Sequence, residues 1–129
     1  MIAAHDSYEN DYARFWFAEH ILFIEYKPQT TINLKVAKRV VADRILLQDG
    51  KPYPVLCDIR GIIDSDKAGR DYLAKSGSVL ITAAALIIHE QVSLTISNFY
   101  LHISKPTVPT KLFTTRHEAL IYLKPFIDD

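Results

Sequence analysis

The sequence is poor in the residues that build disulfide frameworks, flexible linkers and charged binding surfaces. Its 129 residues include one cysteine and only 4 glycines, so an internal disulfide is excluded and long flexible linkers are disfavoured. Lysine and arginine together number 15, as do aspartate and glutamate, which leaves a formal net charge of +0. This balance disfavours binding to nucleic acid or to an anionic membrane surface.

Long apolar runs and targeting signals are also missing from the sequence. The longest apolar run extends from Val79 to Ile88, far short of the roughly 20 residues that a membrane-spanning helix needs. The N-terminal residues lack the cationic start and the apolar stretch of a secretory signal. Because a lone cysteine, Cys57, also fits a reducing compartment, we expect a cytoplasmic protein without a membrane span.

The composition is that of a chain that buries a core. Hydrophobic residues make up 49% of the sequence and charged residues 23%, unlike the composition of disordered or collagenous proteins. A length of 129 residues fits one domain. The sequence therefore predicts a single domain over residues 1–129, with residues 1–11 as a loose N-terminal segment.

The order of predicted elements indicates an α/β fold. Two segments rich in aromatic and β-branched residues, 12–17 and 21–26, predict an N-terminal β-hairpin. Helical and strand-like patterns then alternate, with helices that begin after Asn33, after Ser65 or Asp66, at Val92 and after Thr115, and strands at 55–59, 83–88 and 111–114. Such alternation implies a mostly parallel central sheet with an antiparallel edge. The spacing in the first helix places Leu34, Ala37, Val40, Val41, Ile45 and Leu46 on its buried face.

The best candidate site is the segment from Asp58 to Asp66, directly after the predicted central strand. Ligands in parallel sheets bind at the carboxyl ends of the strands, and this segment has the densest polar groups there. In one interpretation, Arg60, Asp64 and the Ser65 hydroxyl hold an anion or a phosphorylated side chain at a helix N-terminus. In the other, Asp58 pairs with Arg60 or a backbone amide, and Ser65 only caps its helix.

The segment Val55-Leu56-Cys57-Asp58, followed by Asp64-Ser65 at the start of a helix, resembles the STAS domains of the anti-sigma factor antagonist (SpoIIAA-like) type. In those proteins a partner kinase phosphorylates the serine of this turn, so the resemblance implies that Ser65 is a modification site. The stretches 53–61, 70–74 and 109–113 look like an uncharacterised bacterial family grouped with STAS and SEC14-like domains. The resemblance implies a single SpoIIAA-like domain.

Motifs for catalysis, cofactors or metals are missing from the sequence. It contains no glycine-rich phosphate loop, no nucleophile elbow and no paired metal ligands. The histidines share no metal-ligand spacing with Cys57, and the place of Cys57 in an apolar strand predicts a buried, inert thiol. We therefore expect a non-enzymatic domain that needs no metal or cofactor.

The predicted helix from Val92 to Ile103 is apolar on more than one face. Phe99, Tyr100 and Leu101 are either covered by the rest of the domain or form an apolar contact surface. Such a surface suits a second copy of the chain or an apolar ligand, as in the SEC14-like relatives. The edge strand of the aromatic hairpin must also be covered or paired, which favours a homodimer.

Two functions stay open on these grounds. The leading hypothesis is a regulatory or protein-interaction module of the bacterial cytoplasm that presents the segment from Asp58 to Asp66 to a protein partner or to a second copy. The alternative is a carrier of a small molecule or lipid that uses an apolar surface or cleft at the helix from Val92 to Ile103.

Overall fold

The computed structural model describes residues 7–89 and 107–127. The strands within them are β1 (Ser7–Glu9), β2 (Ala13–Ala18), β3 (Ile21–Tyr26), β4 (Thr30–Ile32), β5 (Tyr53–Asp58), β6 (Ile62–Ser65), β7 (Ile81–Ile87) and β8 (Thr110–Phe113). The α-helices are α1 (Leu34–Gln48), α2 (Lys67–Lys75) and α3 (Arg116–Leu123), with short 3₁₀ turns at Ser76–Ser78 and Lys124–Phe126. None of these helices is long and apolar enough to cross a bilayer.

Six of the strands form one mixed sheet in the order β1-β2-β3-β5-β7-β8. The pairs at the N-terminal edge, β1 with β2 and β2 with β3, are antiparallel. The pairs of β3 with β5, β5 with β7 and β7 with β8 are parallel. This arrangement confirms the predicted α/β class, the N-terminal hairpin and the central position of the strand that ends at Asp58.

Part of the N-terminal segment that was predicted to be loose is attached to the domain. Ser7–Glu9 pair with β2 as strand β1, and the Tyr8 hydroxyl donates a hydrogen bond to the Asp43 carboxylate of α1 at 3.0 Å. The Asn10 side-chain amide donates to the same carboxylate at 2.9 Å. Along these residues β1 covers the edge strand of the hairpin. The need to cover that edge was one reason to expect a homodimer, and the homodimer itself stays a prediction.

The sheet buries side chains on both faces because its strands alternate. In β3, Leu22 and Ile24 pack on the face that α1 and α2 cover, with Phe15 of β2 and Val40 of α1. Phe23, between them, packs on the opposite face against the cluster that includes Ala119 and Leu123 of α3. The result is a sheet between two helical layers, with a separate apolar core on each side.

Polar side chains begin each of the helices in the described residues. Asn33 accepts a hydrogen bond from the Val36 amide at 2.9 Å, and Thr115 accepts one from the Glu118 amide at 3.3 Å, which confirms both predicted caps. For α2 the cap is Asp66, which accepts from the Gly69 amide at 2.7 Å. Of the two residues predicted for that position, Ser65 therefore does not cap the helix.

The buried face of α1 differs from the predicted one at both ends. At the N-terminal end, Leu34 was predicted to be buried but is 39% exposed, because it lies about 200° around the helix from the buried Val36. Leu46, predicted to be buried, is 76% exposed, whereas Arg44 is 2% exposed and Gln48 is fully buried. The reason is the helical repeat: Arg44 and Gln48 follow Val40 at successive four-residue intervals, whereas Leu46 lies about 200° around the helix from Arg44. The buried face therefore consists of Val36, Ala37, Val40, Val41, Arg44 and Gln48.

The segment from Asp58 to Asp66 contains a short strand, β6, that the sequence did not predict. This strand pairs in parallel with β4, and the two form a small second sheet. The Thr30 amide donates to the Gly61 carbonyl at 3.0 Å, and the Asp66 amide donates to the Ile32 carbonyl at 3.0 Å. These bonds fix the segment against the chain that follows β3.

Candidate functional site

A large pocket lies on the face of the main sheet that α1 and α2 cover. Its volume is about 730 Å³, within the range of roughly 300–1,000 Å³ for small-molecule sites. The wall consists mainly of apolar side chains, from Ile24, Ile32, Val40, Val41, Val55, Ile59, Ile62, Leu73, Ile81, Ala84, Leu86, Ile88 and Val108. The polar side chains that line it include Arg44, Arg60, Asp64, Ser65, Arg70 and His89.

The apolar wall follows from strand alternation in three adjacent parallel strands. Ile24 of β3, Val55 of β5 and Leu86 of β7 all line the pocket, and the pairing of Leu22 with Val55 and of Cys57 with Leu86 keeps the strands in register. Because every second residue of a strand points to the same face, an apolar run in each strand creates one continuous apolar surface.

Arg44 brings a positive charge into this apolar wall. Its guanidinium donates one hydrogen bond to the Gln48 side-chain oxygen and one to the Gly77 carbonyl at 3.2 Å. Burial lowers the pKa of the Arg44 guanidinium to about 10, so at neutral pH the group is still charged. Arg44 is not among the predicted site residues, although its position four residues after the buried Val40 indicates that it is buried on the same face of α1.

Cys57 lies on β5 and also lines the pocket. Burial raises the pKa of the Cys57 thiol, and the neighbouring Asp58 carboxylate raises it further. A thiol in such surroundings stays protonated, whereas a nucleophilic cysteine needs a lowered pKa. The raised pKa agrees with the inert thiol that the sequence predicted, but Cys57 is half-buried and not fully buried as expected, because it lines the pocket.

Asp58 and Arg60 form a two-bond pair at the carboxyl end of β5. The Arg60 Nε and Nη2 atoms donate to the two Asp58 carboxylate oxygens at 2.9 and 2.7 Å, and the Arg60 amide donates at 3.1 Å. Burial raises the pKa of the Asp58 carboxyl, but the hydrogen bonds and charge of Arg60 outweigh it, so this pKa lies below its usual value. Of the two sequence interpretations, the geometry matches the one in which Asp58 pairs with Arg60.

Ser65 and Asp64 lie on β6, at the edge of the pocket. The Arg70 side chain, from the first turns of α2, donates to the Ser65 carbonyl at 2.7 Å and to its hydroxyl at 3.2 Å. The His89 ring lies 3.3 Å from the Arg60 carbonyl oxygen, which places it beside the same segment. We call Arg60, Asp64, Ser65, Arg70 and His89 the polar rim. The sequence predicted Arg60, Asp64 and Ser65 as site residues. It missed Arg70, which lies on α2, and His89, which follows β7 and is distant in sequence.

The other predicted features lie elsewhere. Phe99, Tyr100 and Leu101, together with the rest of the predicted helix from Val92 to Ile103, lie outside the described residues. Within residues 7–89 and 107–127, no group of three or more His, Cys, Asp or Glu side chains is arranged to hold a metal ion.

Comparison with known proteins gives a fold and no activity. The model of a family described as "Domain of unknown function (DUF7793)" matches residues 15–127. The chain is also similar to the crystal structure of an uncharacterized protein from the DUF3478 family with a SpoIIAA-like fold, from Shewanella loihica PV-4. That likeness has 14% identity and a TM-score of 0.60, and it covers 90% of this chain and 98% of that chain. It confirms the predicted SpoIIAA-like fold. No curated protein matches the chain.

Proposed function

This chain belongs to the family described as Domain of unknown function (DUF7793), and we propose that it is a non-enzymatic domain that binds a small apolar molecule. The observation that carries the proposal is the pocket of about 730 Å³ between the sheet and the helices α1 and α2. Small-molecule sites are clefts of this size that are lined mainly by apolar side chains. A mainly apolar cleft of this volume therefore suits a small apolar ligand.

The polar rim gives the pocket an orientation. Small-molecule sites combine an apolar wall with a few polar groups that fix the position of the ligand, and here those groups gather where β5 and β6 end. Arg60, Asp64 and Ser65 belong to both the pocket lining and the segment that the sequence singled out. A bound molecule would thus contact the segment that the resemblance to STAS domains connects with partner recognition.

A larger side chain inside the pocket is expected to block binding. Ala84 is half-buried on β7 and lines the pocket, so Ala84→Phe places a ring in the ligand space without adding a charge. We expect the affinity for the neutral fluorescent probe N-phenyl-1-naphthylamine to fall by about tenfold or more, which corresponds to ~1.4 kcal/mol. The measurement is a fluorescence titration of the purified domain.

The matched control is Ala68→Phe, because Ala68 is exposed on α2 and the same ring there leaves the pocket open. Probe binding by this variant should equal that of the unmodified protein. If Ala84→Phe binds the probe as well as Ala68→Phe does, the pocket is not the binding site. If the unmodified protein does not bind the probe at all, the proposed function is wrong.

A second candidate function is protein recognition by β6, and one observation favours it. Ile63 is 66% exposed at the middle of this strand, and in the described residues β6 pairs with β4 alone in the small sheet. An exposed apolar side chain on an open strand edge suits the addition of a strand from a partner. Phosphorylation of Ser65 would place an anion beside the Arg70 guanidinium, where charge-assisted hydrogen bonds are favourable. For both candidates we propose a cytoplasmic location, which the single cysteine supports because it fits a reducing compartment.

This candidate predicts that Ile63→Lys removes a partner that co-purifies with the protein from its own host. The matched control is Ile121→Lys, because Ile121 is 60% exposed on α3. We expect the control to recover the partner fully and Ile63→Lys to recover at most about a tenth of it. Mass spectrometry of the purified fractions measures both amounts. Equal recovery by the two variants would rule out β6 as the contact surface.

A further inference from the structure

One charged side chain of the pocket wall is almost fully buried. Arg44 is 2% exposed and is one of the residues that line the pocket. The side chain is fixed from two sides, by the Gln48 side-chain oxygen on the same helix and by the Gly77 carbonyl after α2. A guanidinium has five N–H groups, so these two bonds leave donors for a third partner.

The groups around Arg44 supply no negative charge. In residues 7–89 and 107–127, no carboxylate forms an ion pair with the Arg44 guanidinium. The ion pairs in these residues involve other basic side chains, namely Arg14, Lys27, Arg39, Arg60 and Lys67. The two groups that accept its hydrogen bonds are a side-chain amide oxygen and a backbone carbonyl, and both are neutral. The Tyr26 hydroxyl and the Cys57 thiol also interact with it electrostatically. A buried ion that lacks a counter-ion costs a large free energy, which a bound anion would recover.

We propose that the ligand of the pocket is an apolar carboxylic acid whose carboxylate pairs with the Arg44 guanidinium. This inference rests on the proposed small-molecule function and names the ligand class. The planar fork of an arginine matches a carboxylate with two parallel hydrogen bonds. One cation balances the single charge of a carboxylate, whereas a phosphate dianion would bring an excess negative charge into an apolar wall.

The apolar part of the pocket wall suits an aliphatic chain or an aromatic ring of the ligand. Ile24, Val55 and Leu86 of the sheet and Val40 and Val41 of α1 line the same pocket as Arg44. Burial of apolar surface contributes affinity in proportion to the area removed from water. The carboxylate thus provides orientation and selectivity, and the body of the molecule provides most of the contact.

The first test changes the ligand and leaves the protein unmodified. Decanoate and 1-decanol have the same chain and differ in the charged head, and each is titrated against the bound probe N-phenyl-1-naphthylamine at neutral pH. We expect decanoate to displace the probe at a concentration about tenfold lower than 1-decanol does. Equal potency of the two overturns the carboxylate inference while leaving the proposed function in place. Failure of the unmodified protein to bind the probe overturns both.

The second test assigns the preference to Arg44. In Arg44→Gln the advantage of decanoate over 1-decanol should disappear, so that the two compounds displace the probe at equal concentrations. The control is Lys38→Gln, which removes an exposed positive charge from the same helix and should keep the full preference. A preference for decanoate that persists in Arg44→Gln overturns the inference.

Discussion

Replacing Gln48 with leucine is expected to lower the free energy of unfolding by about 3 kcal/mol, because it leaves buried polar groups without partners. The Gln48 side-chain amide donates to the Lys51 carbonyl at 2.9 Å and to the Leu80 carbonyl at 2.8 Å. Its oxygen accepts a hydrogen bond from Arg44. Leucine is of similar size but can make none of these bonds. Urea denaturation followed by circular dichroism measures the loss.

The control for this prediction is Lys35→Leu. Lys35 is exposed on the same helix, so the change introduces the same residue without removing a buried partner. We expect its free energy of unfolding to stay within about 0.5 kcal/mol of the unmodified value. If Gln48→Leu is as stable as Lys35→Leu, the hydrogen bonds from Gln48 to the Lys51 and Leu80 carbonyls do not contribute to stability. The Gln48 side chain then does not anchor α1 to the start of β7.

Local signals in the sequence were enough to predict most of the fold. The aromatic and β-branched runs gave the hairpin of β2 and β3 almost to the residue, and the Asn33 and Thr115 caps were predicted from the residues that follow them. The pair of Asp58 and Arg60 was also predictable, because its members are two residues apart. Each of these features depends on neighbours in the chain, which a single sequence contains.

The pocket and its buried charge could not be predicted in the same way. Arg44 is held by Gly77 and Gln48 is held by Leu80, at sequence separations of 33 and 32 residues. A charged or polar residue in an amphipathic helix is normally assigned to the solvent side. Only the position of both residues on the stripe that begins at Val36 indicated otherwise. The hydrogen-bond partners that stabilise buried Arg44 and Gln48 come close to them only in the folded chain.

The small sheet of β4 and β6 was missed because both strands are very short, with three and four residues. Thr30–Ile32 follow a proline turn, and Ile62–Ser65 follow a glycine, so the local pattern is typical of turns. Their pairing depends on a close approach of two backbones at Gly61. Such an approach leaves no periodic signal, although a glycine after a buried strand is a hint of it.

Gly61→Ala is expected to lower the free energy of unfolding by about 2 kcal/mol, since it forces two backbones apart. A β-carbon at Gly61 would lie within 2.5 Å of the Tyr26 carbonyl oxygen and 2.8 Å of the Lys27 carbonyl carbon. Backbone atoms cannot rotate away as a side chain can, so β6 must shift. This shift strains the hydrogen bond from the Thr30 amide to the Gly61 carbonyl.

The matched control is Gly77→Ala, because a β-carbon there would meet its nearest neighbour, the Leu73 side chain, at an ordinary 3.7 Å. We expect this variant to stay within about 0.5 kcal/mol of the unmodified protein in the same urea titration. Equal destabilisation of the two variants would show that close backbone approach at Gly61 is not what positions β6. Because β6 carries Asp64 and Ser65 of the polar rim, the folded Gly61→Ala protein should also bind N-phenyl-1-naphthylamine more weakly than the unmodified protein does.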